Sequence, residues 1–188
     1  MTILHISDTH CHHGELGDMP QADVLVHTGD FSNYGTEEEV LPALEWLMVL
    51  PYKHIIFWAG NHDLCLYDAE SIDGLPDNVH FLHNSGVVID KVSFYGLTWT
   101  NPNTEYTGKF DVLISHEPPI GILDKEMNVH WGSAQVLDFV SKKLPKYHLF
   151  GHVHGNYGFV ELGKTIYSNA SLSNLENKIC NTPRLLSF

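Results

Sequence analysis

The chain has 188 residues, 43% of them hydrophobic, which is enough to bury a substantial core, and we expect a single domain over residues 1–188. Its formal net charge of −13 argues against a broad surface for binding a phosphate backbone. Three widely spaced cysteines argue against a disulfide framework, and no apolar run approaches a membrane span. Because the first predicted strand begins at residue 2, we expect no signal peptide and a cytoplasmic protein.

Short apolar runs along the chain predict buried strands. These runs occupy residues 2–6, 23–27, 53–59, 111–115 and 146–150. Three further runs, at residues 79–82, 86–90 and 92–96, are separated by turns and predict an antiparallel meander. Residues 157–162 and 164–168 predict a hairpin around Gly163, after which residues 169–171 close the domain.

Two segments have the periodicity of helices. Thr36 and Glu39 have the spacing of a capping box before the first of them, and Pro42 predicts a kink or a delayed start. Ser133 is placed to cap the second helix, which extends to about Lys142. Residues 64–70 predict a short helix, and residues 99–109 form a polar loop that is a candidate rim or lid.

Side chains that bind metals follow each of the five buried runs. The candidate ligands are Asp8, His10, Asp30, Asn61, His116, His152 and His154. Asp8 and His10 are two residues apart and point to one side of an extended chain, and so do His152 and His154. Taken singly, these are ordinary turn residues, and for His27, His80 and His83 a structural role is favoured. His13 is either an exposed loop residue or a substrate contact.

Seven ligands that combine carboxylate, imidazole and amide groups exceed what one tetrahedral zinc ion requires. The set, which contains no thiolate, suits two divalent cations, with Mn²⁺, Fe, Ni and Zn as candidates and Mn²⁺ expected in vitro. Two cations about 4 Å apart can clamp both oxygens of an in-line displacement at phosphorus. Asp30 is the natural bridging ligand, and a hydroxide held between the cations is the expected nucleophile.

The motifs that carry this pattern resemble those of the calcineurin-like metallophosphoesterases. They are Asp8-x-His10, Gly29-Asp30, Gly60-Asn61-His62-Asp63, His116 and Gly151-His152-x-His154. The flanking residues are similar to the metallophosphoesterase-domain-containing (brain 239-like) branch. The resemblance implies an α/β fold, a four-layer α/β/β/α sandwich of two mixed sheets flanked by helices.

The resemblance also implies which residues bind each metal ion and which residue donates a proton. Asp8, His10, Asp30 and His154 would surround one metal ion. Asp30, Asn61, His116 and His152 would hold the other. His62, with Asn61 as a possible substrate contact, would lie near the leaving oxygen and donate a proton to it.

Several residues depart from the family pattern. Asn33 and Tyr34 stand where the protein Ser/Thr phosphatases have Asp-Arg, and Cys11 and Glu117 stand where relatives tend to have glycine. The chain has one arginine, Arg184, which lies far in sequence from every motif. Because a doubly charged phosphomonoester is usually held by arginine, a singly charged diester is the better fit.

We therefore expect hydrolysis of a small phosphodiester resembling a cyclic nucleotide, with a small phosphoester as the partner and neither membrane nor nucleic acid polymer. A nuclease acting on single-stranded DNA or RNA would need a local lysine patch. A phosphomonoesterase would need lysine or backbone donors in place of arginine. A non-catalytic binding module is the least favoured alternative, because all seven ligands and His62 are present.

Overall fold

The computed structural model describes residues 1–99 and 102–188. The strands are β1 Thr2–Ile6, β2 Val24–His27, β3 His54–Phe57, β4 Val79–Phe81, β5 Ser85–Ile89, β6 Val92–Gly96, β7 Val112–Ile114, β8 Lys125–Glu126, β9 Val129–His130, β10 Tyr147–Phe150, β11 Gly158–Leu162, β12 Thr165–Asn169 and β13 Arg184–Ser187. The α-helices are α1 Glu37–Val49 and α2 Ala134–Lys143. Short 3-10 turns lie at His13–Glu15, Leu64–Leu66 and His154–Asn156.

Two mixed sheets form the centre of the fold. The first has the order β13-β1-β2-β3-β4, in which β1 to β4 run parallel and β13 runs antiparallel to β1. The second has the order β11-β12-β10-β7-β6-β5, with a parallel centre and an antiparallel strand at each edge. This agrees with the sandwich of two mixed sheets that the family resemblance implies.

Alternation along the strands divides the core into three layers. Leu4 and Leu25 pack with α1 on one side of the first sheet, whereas Ile3 faces the second sheet together with Ile114. On the far side of the second sheet, aromatic residues pack against α2. The order of layers is therefore helix, sheet, sheet, helix.

Two strand predictions were wrong in their pairing. β4 does not join a meander, because it pairs in parallel with β3 at the edge of the first sheet, so that of the three predicted strands β5 and β6 alone pair with each other. The chain also does not close at residues 169–171, since β13 returns to pair with β1 and places Leu186 opposite Ile3. β8 and β9 form a small separate hairpin that was not predicted.

Thr36 is the N-cap of α1, as predicted, but the predicted capping box is not formed, because the Thr36 side chain makes no capping hydrogen bond. α1 begins at Glu37, but Glu39 Oε2 accepts the N–H groups of Asn33 and Tyr34 at 3.0 and 2.6 Å instead of turning back to Thr36. Pro42 lies within the helix on its exposed face, where water can bind the carbonyl group that loses its partner.

Within residues 1–99 and 102–188, no helix is long and apolar enough to cross a bilayer.

Candidate metal centre

The predicted ligands converge at one edge of the sandwich. β1, β2 and β3 are parallel in one sheet, and β7 and β10 are parallel in the other, so the loops that follow them leave along the same edges. These five loops carry Asp8, His10, Asp30, Asn61, His62, His116, His152 and His154. Sequence and topology together therefore bring all seven candidate ligands and His62 to one place.

One group of potential ligands consists of Asp8, His10 and His154. Each offers one ligand atom, and these atoms all lie within 4.8 Å of one another. His154 Nε2 lies 3.4 Å from Asp8 Oδ1 and 3.3 Å from His10 Nε2. Such a cluster of one oxygen and two nitrogens can hold a divalent cation.

A second group consists of Asp30, His116 and His152, whose ligand atoms also lie within 4.8 Å of one another. Asn61 Oδ1 lies 2.9 Å from His116 Nε2 and 2.8 Å from His152 Nδ1, so the amide oxygen belongs to this group. Asp30 Oδ2 is 3.2 Å from His116 Nε2 and 3.9 Å from His10 Nε2. One carboxylate oxygen therefore lies between the two groups.

Backbone carbonyl groups orient three of the ligand imidazoles. The Nδ1 atoms of His10, His116 and His154 lie 3.1, 2.9 and 2.8 Å from the carbonyl oxygens of Ser32, Thr28 and Asn174, respectively. Because a carbonyl oxygen only accepts, each Nδ1 carries the proton, and Nε2 is left to bind a cation. His152 is turned the other way and presents Nδ1. The donor set therefore fits two cations with nitrogen and oxygen ligands.

The buried charges favour cations at both groups. Burial alone would raise the pKa of Asp8, but the hydrogen bond and charge of His154 keep that pKa below its usual value. Burial would lower the pKa of His116, yet the charge of Asp30 and its hydrogen bond outweigh it and raise the pKa to about 10. Asp8 likewise outweighs the burial of His154 and raises its pKa to about 9. The carboxylates thus create a negative potential that also attracts metal ions.

The backbone of the site adopts conformations that are uncommon outside glycine. Asp8, His10, Asp30 and His152 have φ values of 55°, 42°, 57° and 68°. Aspartate and histidine tolerate this left-handed region better than branched residues do. Such conformations persist only where the surrounding structure enforces them, and they concentrate at functional sites.

Gly60 and Gly151 are needed for space. A Cβ at Gly60 would lie 2.1 Å from Asp30 Oδ1, and one at Gly151 would lie 2.2 Å from Asp8 Oδ2. Any larger residue would therefore displace a carboxylate of the site.

Asp63 is a buried residue whose role the sequence reasoning missed, although it belongs to the Gly60–Asp63 motif. Its carboxylate accepts the N–H groups of Asp30, Gly60 and Ser32 at 2.8, 2.8 and 3.0 Å, and the Ser32 hydroxyl at 2.7 Å. Burial and the nearby charge of Asp30 raise the pKa of Asp63 to about 7. It therefore fastens the loop after β2 to the loop after β3.

A cavity of about 200 Å³ opens over both ligand groups. Its lining comprises Asp30, Asn61, His62, Glu126, His152, His154, Leu175 and Asn177. Three of these, Glu126, Leu175 and Asn177, come from segments that gave no functional signal in the sequence. Glu126 Oε2 accepts the N–H of Gly155 at 2.8 Å, so the β8–β9 hairpin is attached directly to the site.

Other predicted contacts lie elsewhere. His13 packs its ring on Trp46 of α1, with the ring centroids 5.0 Å apart, and it is not among the residues lining the cavity. Glu117 is half-buried and is not among the residues lining the cavity, whose glutamate is Glu126. The 99–109 loop lies partly outside the described residues, and its Tyr106 stacks on Tyr95 near α2, with centroids 4.2 Å apart. That part of the loop belongs to the core under α2.

Comparison with known proteins gives the same assignment. A family model described as calcineurin-like phosphoesterase matches residues 1–156. The chain belongs to the calcineurin-like phosphoesterases. Enzymes of this family use dinuclear metal centres, in agreement with the two groups of candidate ligands.

Individual relatives place the chain within that family. It is 33% identical to the UPF0046 protein K07C11.7 of Caenorhabditis elegans, over 97% of this chain and 73% of the relative. It is 30% identical to metallophosphoesterase domain-containing protein 1 of Homo sapiens, over 97% of this chain and 69% of the relative. A solved structure described as a novel archaeal phosphodiesterase shares the fold, with a TM-score of 0.53, 19% identity and 99% of each chain covered.

Proposed function

We propose that this calcineurin-like phosphoesterase hydrolyses a small, singly charged phosphodiester with the help of two divalent cations. The observation that carries the proposal is the position of Asp30 Oδ2, which faces Nε2 of both His116 and His10 at 3.2 and 3.9 Å. An oxygen so placed suits a ligand shared by two cations. The ligands would be Asp8, His10, Asp30 and His154 for one cation and Asp30, Asn61, His116 and His152 for the other.

When bound, the cation pair would activate water and offset charge that develops on the phosphoryl oxygens. The residues of the chain would position His62 relative to the cation pair. Asp30 Oδ1 accepts the backbone N–H of His62 at 2.8 Å, and His62 Nδ1 lies 2.6 Å from the carbonyl oxygen of Asn33. This contact holds one proton on Nδ1, so in the imidazolium form the second proton lies on Nε2, which would give it to the leaving oxygen and leave the neutral imidazole.

The charge of the cavity favours a diester over a monoester. Among the described residues that line it, none is lysine or arginine, and both Asp30 and Glu126 are acidic. Arg184 lies away from the site, with its guanidinium 4.9 Å from the centre of the Tyr157 ring. Apart from the two cations, a doubly charged monoester would meet acidic side chains and no lysine or arginine among the described residues of the lining, whereas a diester carries only one negative charge.

The absence of lysine and arginine from the described lining of the cavity over the ligand groups also disfavours the nuclease alternative. A cavity of about 450 Å³ lined by Lys109, Lys142 and Lys143 does exist. It lies beside Ser93, the second residue of β6, and Asp111, which precedes β7, and so at the opposite edge of the sheet from His116. A single strand held there would not reach the ligand groups.

The direct test compares bis(p-nitrophenyl) phosphate with p-nitrophenyl phosphate after the protein is stripped with a chelator and reloaded with Mn²⁺. We expect kcat/KM for the diester to exceed that for the monoester by about tenfold or more. His116→Ala should lose this activity, whereas His80→Ala, outside the site, should retain it. Full activity in the presence of chelator, or a clear preference for the monoester, would overturn the proposal.

A further inference from the structure

One edge of the second sheet is open. Within the described residues, β11 pairs with β12 on one side and with no strand on the other. The two-residue turn at 163–164 joins these strands, and such a turn closes on a hydrogen-bonded pair, here Leu162 with Thr165. Because hydrogen-bonded and free residues alternate, the N–H and C=O groups of Phe159 and Glu161 point away from β12. They form no backbone hydrogen bond with other described segments, so a further strand can add there.

The side chains of β11 do little to shield this edge. Edge strands are usually protected by prolines, bulges, several charges or a covering segment. On β11, however, Phe159 and Leu162 are 63% and 47% exposed, and the pairing with β12 is regular along the whole strand. At the opposite edge of the same sheet, Val88 is the single exposed large apolar residue of β5. Glu161 is the one charged residue of β11, and a cation on an added strand could neutralise it.

A cation without a carboxylate partner lies beside the open edge. The Arg184 guanidinium is 4.8 Å from the centre of the Phe159 ring and 4.9 Å from that of Tyr157. Among the described residues no carboxylate forms an ion pair with it, and its buried Nε has no hydrogen-bond partner. Stacking on two aromatic rings holds the guanidinium in place. In a chain with a net charge of −13, this arginine is suited to receive a carboxylate from another molecule.

The open edge is complementary to a second copy of itself. Antiparallel pairing about a two-fold axis at Val160 sets Phe159 opposite Glu161 of the other copy, in hydrogen-bonded pairs that use all their outward N–H and C=O groups. Opposite residues of such a pair project to the same face, so each Glu161 carboxylate lies next to the Phe159 ring that carries Arg184 of the other copy. On the other face the two Val160 side chains meet. An axis at Glu161 would instead oppose two like charges.

We propose that the protein forms a homodimer in which the β11 strands of two copies pair antiparallel, with Val160 on the two-fold axis and Arg184 of each copy bound to Glu161 of the other. The pairing joins two six-stranded sheets into one continuous sheet. Because one shared edge is a small interface, the dimer is reversible, with a Kd in the micromolar range. Association through β11 does not depend on the phosphodiesterase function.

Sedimentation equilibrium of the purified protein tests the association. In about 0.15 M salt, where the long-range repulsion between two acidic chains is screened, we expect the mass to rise from 21.2 kDa toward twice that value as the protein concentration increases. A monomer at every concentration up to about 0.5 mM would overturn the proposal.

Exchange of the two charges identifies the contact. Glu161→Arg would place like charges side by side and should raise the dimer Kd by about tenfold or more. Arg184→Glu should do the same, and the two substitutions together should restore the Kd to within about threefold of the unaltered protein. Glu45→Arg, at an exposed position on α1, changes the net charge equally and is the matched control. A dimer that Glu161→Arg does not weaken forms through another surface and would refute this pairing.

An engineered disulfide tests the register. Residues at 160 on the axis form a non-hydrogen-bonded pair with Cα atoms about 4.5 Å apart, which is within the range of a disulfide. With the three native cysteines replaced by serine, Val160→Cys should therefore cross-link two copies on mild oxidation. Leu162→Cys projects to the same face of β11 but lies away from the axis, so it is the control and should not cross-link. Failure of Val160→Cys to cross-link, or equal cross-linking of both variants, would overturn the proposed pairing.

Discussion

The two carboxylate oxygens of Asp30 have separate partners, and one of them is the backbone of His62. Asp30 Oδ1 accepts the His62 N–H at 2.8 Å, while Oδ2 faces the imidazoles of His116 and His10. The expected bridging ligand therefore also sets the position of the expected proton donor. We therefore expect metal binding and proton transfer to be linked through this one side chain.

Replacing Asp30 should remove more than one metal ligand. We expect Asp30→Asn to lower metal content from two ions to one or none and to reduce kcat/KM by about 10³-fold or more, because the amide carries no negative charge and has one oxygen for the two positions that Oδ1 and Oδ2 occupy. Elemental analysis with steady-state kinetics measures both quantities. The exposed Asp18→Asn is the control. Two tightly held ions in Asp30→Asn would disprove the bridging role.

Replacing His62 should affect chemistry and leave the metals in place. Its Nδ1 lies 2.6 Å from the Asn33 carbonyl oxygen, and it belongs to neither ligand group. We expect His62→Gln to retain both ions and to lose about 10²-fold in kcat on a diester with a poor alkyl leaving group. The loss should be smaller for p-nitrophenolate, which needs less help from an acid. Equal losses for both leaving groups would argue against proton donation, and His12→Ala in the nearby loop is the control.

Gly60 should tolerate no side chain. Gly60→Ala would place a Cβ 2.1 Å from Asp30 Oδ1, so the carboxylate or the backbone must move. We expect overpacking to cost about 1–3 kcal/mol in the free energy of unfolding and to weaken metal binding. Denaturant titration and metal titration measure the two effects. Gly14→Ala is the matched control, because its Cβ would meet no described atom within 4 Å.

Glu126 should help to exclude doubly charged substrates. Glu126→Gln keeps an oxygen to accept the Gly155 N–H but removes the negative charge from the cavity. We expect the ratio of monoester to diester kcat/KM to rise severalfold, mainly through a lower KM for the monoester. The exposed Glu161→Gln, on β11, should leave the ratio unchanged. A ratio unaltered in Glu126→Gln would show that this carboxylate has no part in selectivity.

His148 should make stability depend on pH. Burial lowers the pKa of this histidine to about 3, and its Nε2 lies 2.8 Å from the Ser115 hydroxyl. Between about pH 6 and pH 4 the unfolded chain binds a proton at this residue that the folded chain does not, so stability falls as the pH falls. We expect His148→Leu to reduce this slope by about 1 kcal/mol per pH unit. Denaturant titrations at several pH values measure it, and identical slopes would refute the neutral buried state.

Much of the site was predictable because its residues follow local patterns. Each candidate ligand lies just after an apolar run, and parallel strands place the residues that follow them at the same edge of a sheet. His27 also met its expected structural role, since its ring accepts the Gly29 N–H at 3.2 Å and its Nε2 lies 3.1 Å from the Thr9 hydroxyl. The position of each of these residues relative to the end of its own strand is a local feature, which periodicity records, even though the residues they meet lie far away in sequence.

The missed features depend on distant partners. β8 and β9 have two residues each, too few for a periodic signal, and Glu126 reaches the site through a contact with Gly155, 29 residues away. β13 is formed by pairing with β1 at the opposite end of the chain. Glu39 is different, because its carboxylate accepts N–H groups from Asn33 and Tyr34, only six and five residues earlier, although its spacing from Thr36 is that of a capping box. Local sequence preferences cannot reveal such choices.

The segment after β12 serves two purposes at once. The carbonyl oxygen of Asn174 fixes the imidazole of His154, while Leu175 lines the cavity over the ligand groups. Homologues that lengthen or shorten this stretch to accommodate a new substrate must therefore preserve the Asn174 carbonyl. Divergence of specificity in this lineage is constrained by the need to keep one imidazole correctly turned.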